Sequence, residues 1–291
     1  MAREPRLLPL ADWPLAERRR ITGVFTDIDD TLTEQGAIAP EALAALQSLR
    51  QSAIHVIAVT GRPVGWSEPF AWGNSALKLA PWPVDDIVAE NGAVALLPEH
   101  HFDRKNGHNP IKNIHGQLSK LYQSSTAERR ANHARLQAVL ARVEAQIPGA
   151  RRATDSAGRE TDIAIDHSEF TQLPPQAIDA VVALMQAEGL RATVSSIHVN
   201  GWIGDHDKLQ GARWIVQALY GRELADEMDR WAFIGDSTND QRMFAAFPAS
   251  VGVANVSRFV PQLDPPPRYL CAQARGRGFA EFAGALLAAR Q

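Results

Sequence analysis

The 291-residue sequence predicts an α/β fold, with a Rossmann-like parallel-sheet core and an inserted α+β cap domain. Continuous apolar runs alternate with helical patterns in the first and last thirds of the chain, which is typical of βαβ units in a parallel sheet. Two of these runs end in aspartates, at Asp27 and Asp236, whereas the middle third is more polar and irregular. We therefore expect an N-terminal tail, a core and a cap, at residues 1–20, 21–96 with 201–291, and 97–200.

Local patterns predict the core elements in order. The continuous apolar run at 22–28 is typical of a strand covered on both faces. Pro40 fits the first turn of a helix, and leucines recur every third residue after it. Turn residues follow the apolar runs at 56–59 and 86–90, which predicts two more strands. The last third predicts a helix at 209–220, strands at 231–234, 250–253 and 269–272, and a helix at 279–290.

The middle segment mixes strand-like and helical patterns, as expected for an α+β insertion. The expected elements are helices at 132–146 and 175–188 and strands at 162–166 and 192–199. The segment also contains four histidines: His100, His101, His108 and His115. They lack the paired spacing of metal ligands on a helix, so we interpret them as part of a solvated loop surface.

Composition excludes several classes of protein. The net charge of −3 and the isoelectric point near 6.3 provide no basic field for a nucleic-acid partner. Cys271 is the only cysteine, which excludes an internal disulfide and fits the cytoplasm. No apolar stretch reaches the roughly 20 residues of a membrane span, and residues 1–20 lack the features of a signal peptide. We expect a monomer or homodimer that acts on a small molecule.

The aspartates after the two strands point to a metal site. Asp27 and Asp29 lie at the C-terminal end of the first strand, and Asp236 and Asp240 follow the strand at 231–234. Two carboxylates about 4 Å apart repel each other by roughly 4 kcal/mol at an effective dielectric near 20. A hard cation such as Mg²⁺ offsets that repulsion. An Asp-rich turn explains either segment alone, but both segments together favour a Mg²⁺ site.

These residues resemble the motifs of the haloacid dehalogenase-like superfamily, whose members are mostly phosphatases. The four motifs appear in the family's order: Asp27-Ile28-Asp29-Asp30-Thr31, Thr60-Gly61-Arg62, Lys208, and Gly235-Asp236 with Asn239-Asp240. The resemblance covers roughly residues 21–95 and 205–291, and the segment between the second and third motifs has the position of the family's large cap. The branch with sugar-phosphate phosphatases is the most similar.

The resemblance implies catalytic roles. Asp27 would attack phosphorus, and Asp29 would protonate the leaving oxygen and later activate water. Thr60 would donate a hydrogen bond to the phosphate, and Lys208 would neutralise the nucleophile and phosphate. Arg62 either orients the substrate or pairs with a core carboxylate.

The same resemblance implies two binding sets. Asp236 would ligate Mg²⁺ directly, while Asp240 and Asn239 help hold the ion or its waters. The implied metal set is Asp27, Asp29 (through its main-chain carbonyl), Asp236 and Asp240, and the substrate set is Thr60, Gly61, Arg62, Lys208 and Asn239.

We therefore expect a Mg²⁺-dependent phosphomonoesterase that hydrolyses a sugar or polyol phosphate through an aspartyl-phosphate. The second aspartate, Asp29, and the distal metal cluster favour phosphate chemistry over dehalogenation. A phosphomutase and a catalytically silent binding protein on the same fold remain alternatives. Trp66 and Arg159 are candidates for substrate contact, and the alternatives are core packing, which is usual for aromatic residues at this spacing, and a plain turn into a strand.

Overall fold

A computed structural model describes residues 7–97 and 119–291. These residues contain fifteen strands: β1 (Leu8–Pro9), β2 (Gly23–Thr26), β3 (Thr33–Glu34), β4 (Ala37–Ile38), β5 (His55–Val59), β6 (Asp86–Ala89), β7 (Val94–Leu97), β8 (Ser119–Tyr122), β9 (Arg151–Arg152), β10 (Asp162–Asp166), β11 (Arg191–Val194), β12 (His198–Trp202), β13 (Trp231–Gly235), β14 (Ala249–Gly252) and β15 (Tyr269–Leu270). The α-helices are α1 (Leu15–Arg20), α2 (Pro40–Gln51), α3 (Val64–Trp72), α4 (Thr126–Gln146), α5 (Pro175–Ala187), α6 (Lys208–Tyr220), α7 (Gln241–Ala246) and α8 (Arg275–Ala288).

Nine of the strands form one sheet, in the order β1-β15-β14-β13-β2-β5-β6-β7-β8. Neighbours from β1 to β6 run parallel, and β7 and β8 add antiparallel pairs at one edge. Val24 faces a cluster with α2, α3 and α8, while Phe25 faces a second cluster with α6 and α7. Helices thus cover both faces of the sheet, and the predicted α/β core is confirmed. None of the helices in the described part of the chain has both the length and the apolarity needed to cross a bilayer.

The remaining large unit, here called the cap, is an antiparallel sheet in the order β11-β12-β10-β9 with α4 and α5 on one face. Ile163, Ile165 and Val199 pack with these helices in an apolar cluster. Since side chains alternate along a strand, Asp162 and Asn200 lie on the opposite face. Their side chains contact the core, which places this polar face of the cap over the carboxyl ends of the core strands.

The segment before β2 differs from the expected tail. β1 pairs in parallel with β15, and Leu10 and Trp13 are buried. The Trp13 ring stacks on Tyr269 at 5.4 Å and on Phe282 at 6.0 Å between centroids. Residues 8–20 therefore pack as part of the core, because their few apolar side chains fit against α8 and the sheet edge.

Several predicted boundaries also differ from the structure. β8 lies within the predicted cap segment, yet it pairs with β7 in the core sheet. The single strand expected at 192–199 is a hairpin of β11 and β12, because the Ser195 hydroxyl accepts hydrogen bonds from the amides of Ile197 and His198 and stabilises a turn. α4 begins six residues before the predicted start, where Ser125 and Glu128 form a capping box. α8 begins at Arg275 rather than at 279. The four cap histidines lie outside the described residues.

Candidate active site

Parallel pairing brings the two acidic segments together. β2 and β13 are neighbours, with Thr26 opposite Ile234, so the residues that follow both strands meet at the same sheet edge. Carboxylate oxygens of Asp27, Asp236 and Asp240 all lie within 4.8 Å of one another, and the three side chains are buried. This arrangement is the acidic cluster that the sequence motifs predict.

Lys208 supplies a positive charge to this cluster from the first turn of α6. Its Nζ lies 2.5 Å from Asp27 Oδ1 and 2.7 Å from Asp240 Oδ1. Burial opposes the charged form, but the two carboxylates raise the pKa of Lys208 above its ordinary value. Gly92 allows this approach of α6: it has φ +105°, and a Cβ there would lie 2.4 Å from the Asp207 carbonyl oxygen.

The cluster carries more negative than positive charge. Three buried carboxylates face one buried ammonium group, and the guanidinium of the half-exposed Arg258 lies 3.6 Å from Asp236. Burial, together with Asp240 and Asp29, raises the pKa of Asp27 to about 7 despite the opposing effect of Lys208. Burial and the Asp27 and Asp240 carboxylates also raise the pKa of Asp236 well above its ordinary value. A divalent cation would relieve this repulsion.

Asp236 and Asp240 have different surroundings. Asp240 Oδ2 accepts hydrogen bonds from the amides of Asp236 and Ser237, and its Oδ1 binds Lys208, so its side chain holds the loop in place. Asp236 Oδ2 accepts a hydrogen bond of 3.0 Å from Asn255. Asp236 Oδ1 is buried and has no hydrogen-bond partner among the described residues. That oxygen is therefore the free acceptor of the cluster, as a direct metal ligand requires.

Asp29 lies beside this cluster and binds Arg62. The Arg62 Nε donates to both carboxylate oxygens of Asp29 at 3.0 Å, and a terminal nitrogen donates to Oδ1 at 2.9 Å. The same guanidinium binds two cap carboxylates, Glu169 at 2.7 Å and Asp155 at 3.3 Å. Of the two interpretations of Arg62, the structure shows the one in which it pairs with a core carboxylate. It also links that carboxylate to the cap.

The remaining core candidates form the rim of the site. Thr60 follows β5, and its hydroxyl oxygen accepts a hydrogen bond from the Arg62 amide at 3.0 Å, which leaves the hydroxyl proton available to a ligand. The Gly61 carbonyl accepts hydrogen bonds from Arg159 and Asn200 of the cap. Asn239 accepts one from Ser237 at 2.8 Å and faces the cavity above Asp27.

The cap contributes residues to this cavity that the sequence did not indicate. Ser195, Ser196, His198 and Asn200 line it together with Asp27, Asp29 and Arg62. Glu169 binds His198 Nε2 at 2.9 Å, and hydrogen bonds from His198 and Arg62 outweigh the effect of burial and lower the pKa of Glu169 to about 2. The cavity has a volume of about 10 Å³, so the cap lies closed over the carboxylates.

The two candidates for substrate contact have other partners. Trp66 stacks over the Arg62 guanidinium at 4.9 Å and packs against Phe70 at 4.6 Å between ring centroids. Arg159 is buried, with Asp162 at 2.8 Å and Asp155 at 3.1 Å. Both side chains therefore act in packing and in the contact between cap and core.

Glu90 links the cap to the core through hydrogen bonds. Its buried carboxylate accepts hydrogen bonds from the Val64 amide of the core and from the amides of Glu160 and Thr161 of the cap, as well as from the Thr161 hydroxyl. Glu90 directly follows β6, and its neighbours in the chain do not reveal donors about 70 residues away, so this role was not predicted.

We expect Glu90→Gln to destabilise the protein by about 2–3 kcal/mol, because an amide nitrogen would face buried N–H donors and leave them unsatisfied. Urea denaturation measures this change. The exposed Glu223→Gln serves as the control and should change stability by less than about 0.5 kcal/mol. Equal midpoints for both variants would contradict the role of Glu90.

Comparisons with known proteins identify a related family and similar folds. Residues 24–129 match the family model of the haloacid dehalogenase-like hydrolases. A comparison with curated proteins found no match. Among solved structures, a Thermoplasma acidophilum protein has a TM-score of 0.64 at 17% identity, over 91% of this chain and 98% of that one.

Two further structures extend the similarity. Sucrose-phosphatase from Synechocystis, in complex with sucrose and phosphate, has a TM-score of 0.60 at 16% identity, over 92% of this chain and 98% of that one. A haloacid dehalogenase-like hydrolase from B. subtilis has a TM-score of 0.58 at 14% identity, over 91% and 99%. The match over residues 24–129 confirms the predicted resemblance to the haloacid dehalogenase-like hydrolases, and the three structures show that the fold is shared.

Proposed function

Because the chain resembles the haloacid dehalogenase-like hydrolases in sequence and fold, we propose that it is a Mg²⁺-dependent phosphomonoesterase. Its substrate is a small phosphorylated metabolite, a sugar or polyol phosphate, and the reaction passes through an aspartyl-phosphate. The main support is the buried group of Asp27, Asp236 and Asp240 around Lys208, with Asp29 two residues after the nucleophile. Buried carboxylates around one ammonium group at a sheet edge suit a divalent cation and a negatively charged substrate.

The residues present fit a magnesium ion. Mg²⁺ prefers oxygen ligands, and the cluster has the buried, unpartnered Asp236 Oδ1 together with the Asp27 carboxylate. The main-chain carbonyl of Asp29 would complete the protein's contribution. When bound, the ion would neutralise charge on the carboxylates and on the phosphate.

Different side chains act in the two half-reactions, which are the formation and the hydrolysis of the aspartyl-phosphate. Asp27 attacks phosphorus, while Lys208 and the Thr60 hydroxyl stabilise the charge on the phosphate oxygens. Asp29 in its protonated form gives its proton to the departing alkoxide as the P–O bond breaks, and the oxygen that carries this proton no longer accepts from Arg62. In the second step, Asp29 removes a proton from the water that attacks the aspartyl-phosphate, which releases phosphate and restores Asp27.

We further propose that the protein works in the cytoplasm as a monomer or homodimer, without nucleic-acid or membrane partners. The single cysteine, Cys271, is buried, and its sequence context fits a reducing compartment. The net charge of −3 gives no support for a polyanionic partner.

Removing divalent metal should abolish hydrolysis of an aryl phosphate, and added Mg²⁺ should restore it. Ca²⁺ should restore it poorly, because its oxygen ligands lie at about 2.3–2.6 Å rather than the about 2.0–2.1 Å of Mg²⁺, which misplaces nucleophile and phosphate. Full activity in excess chelator would exclude the metal role of Asp236.

Calorimetry of Mg²⁺ binding provides a readout apart from activity. The pKa of Asp27 is about 7 without metal, so below pH 7 the ion must displace a proton. Affinity should therefore fall as the pH is lowered, by up to about tenfold per pH unit when one proton is released. Asp236→Asn should remove binding, whereas Asp179→Asn on the exposed cap surface should not. An affinity independent of pH between 6 and 8 would contradict the ligand set.

A further inference from the structure

A second cavity opens beside the catalytic carboxylates, between cap and core. Its volume is about 370 Å³, within the range of small-ligand sites. Lys208 and Asn239 line one side of it, and Asn239 also lines the narrow cavity above Asp27. A group attached to the phosphate therefore has a space next to the reacting atoms.

Two arginines line this cavity, and both have a guanidinium nitrogen near the same Asp207 oxygen. Arg191 comes from β11 of the cap and Arg242 from α7 of the core, and both side chains are about half exposed. One largely buried carboxylate, Asp207, lies between them. One of its oxygens accepts the Gln210 amide at the start of α6, and the other binds Arg242. Asp207 is thus fixed and already engaged.

Arg191 is held only loosely. Its nearest nitrogen lies 3.9 Å from Asp207, and its closer partner is Asp205 at 2.8 Å, whose side chain is fully exposed. An ion pair in solvent contributes little stability, so another anion can replace Asp205 at small cost. A carboxylate or phosphate can accept two parallel hydrogen bonds from a guanidinium, which gives a stronger contact than the existing one.

The rest of the lining suits a ligand with hydroxyl groups. The Thr193 hydroxyl is buried and has no hydrogen-bond partner among the described residues. Amide side chains of Gln186 and Gln241 add donors and acceptors, while Leu190 and Trp202 provide an apolar surface. Polar groups around an apolar wall are typical of sites for small polar metabolites.

We infer that this cavity, the arginine pocket (Arg191, Thr193, Asp207 and Arg242), binds the leaving group of the substrate and that this leaving group carries a second anionic group, a carboxylate or a phosphate. The inference rests on the proposed phosphatase function and narrows its substrate class to acidic sugar or polyol phosphates. An anion bound by both arginines would also link the cap to the core. Binding of an acidic substrate therefore stabilises the arrangement in which the cap covers the reacting groups.

The test compares substrates that differ in one group. With Mg²⁺ present, kcat/KM is measured for glucose 6-phosphate, 6-phosphogluconate and glucose 1,6-bisphosphate. Hydrolysis of p-nitrophenyl phosphate shows whether the protein is a phosphatase at all, whichever leaving group it prefers. The expected result is a preference of about 10–100-fold for one of the acidic compounds over glucose 6-phosphate, since hydrogen bonds between charged groups are stronger than those to neutral hydroxyls. The preferred acid identifies the second group as carboxylate or phosphate.

Arg191→Gln and Arg242→Gln should each lower the ratio of acidic to neutral kcat/KM by about tenfold. Arg152→Gln, an exposed cap arginine paired with Glu144, should keep the parental ratio. If the parent protein shows no preference for acidic substrates, or if both pocket variants keep the parental ratio, the proposed arginine pocket is overturned. The proposed phosphatase function is unaffected by either result. A parent that fails to hydrolyse even p-nitrophenyl phosphate would refute the phosphatase itself.

Discussion

Asp27→Asn is expected to lower kcat by about 10⁴-fold or more, with the fold intact, since loss of a nucleophile removes the covalent route. The amide keeps the shape of the side chain and an oxygen that can accept from Lys208, but it cannot attack phosphorus. Single-turnover assays with an aryl phosphate should therefore show no phosphoenzyme.

Stability measurements separate this effect from misfolding. Burial and the neighbouring carboxylates raise the pKa of Asp27, so the charged form is unfavourable in the metal-free fold. At pH 8, the neutral amide should leave the unfolding temperature unchanged or higher without Mg²⁺. The exposed Asp179→Asn should preserve both activity and stability. Residual activity of Asp27→Asn near the parental level would remove Asp27 from the role of nucleophile.

The acidic half of the site could be predicted from the sequence, because its geometry follows from where the strands of a parallel sheet end. Asp27 and Asp236 each come directly after an apolar strand, and parallel neighbours end at the same edge of a sheet. Asn255 lies shortly after the next strand, β14, yet the sequence analysis did not include it. Its hydrogen bond to Asp236 shows that the segment after a third neighbouring strand also contributes to this edge of the sheet.

The cap half of the site could not be predicted from the sequence, since its contacts join residues that are far apart in the chain. Glu169 lies 107 residues from Arg62, and Asp155 lies 93 residues from it. Nothing in the sequence around either acid distinguishes it from a surface residue. Only the placement of the cap sheet over the core brings them to Arg62, and that placement depends on distant contacts such as those of Glu90.

Arg62 joins these two halves, and it makes Asp29 the most informative position for a mechanistic test. The guanidinium binds Asp29 on the core and Glu169 and Asp155 on the cap at the same time. A change at Asp29 could therefore act through proton transfer or through the position of Arg62. Substrates with different leaving groups distinguish the two, because only proton transfer depends on the basicity of the departing oxygen.

Asp29→Asn should reduce hydrolysis of a sugar phosphate far more than formation of the aspartyl-phosphate from an aryl phosphate. A sugar alkoxide needs a proton as it leaves, and positioned acid catalysis contributes about 10²–10⁴-fold, whereas an aryl oxide leaves without that help. The same variant loses the base for the attacking water, so the aryl substrate should give a burst of phenol followed by slow turnover.

Asp155→Asn is the matched control, because it also removes a carboxylate from Arg62 but leaves the proton donor in place. It should slow both substrates to a similar extent and show no burst, since it disturbs the positions of Arg62 and Arg159 and the closure of the cap but no group that transfers a proton. If Asp29→Asn instead behaved like Asp155→Asn, the acid–base role would have to be assigned to another group. Asp29 would then serve to hold Arg62 between core and cap, since the bidentate contact that the structure shows would be its whole function.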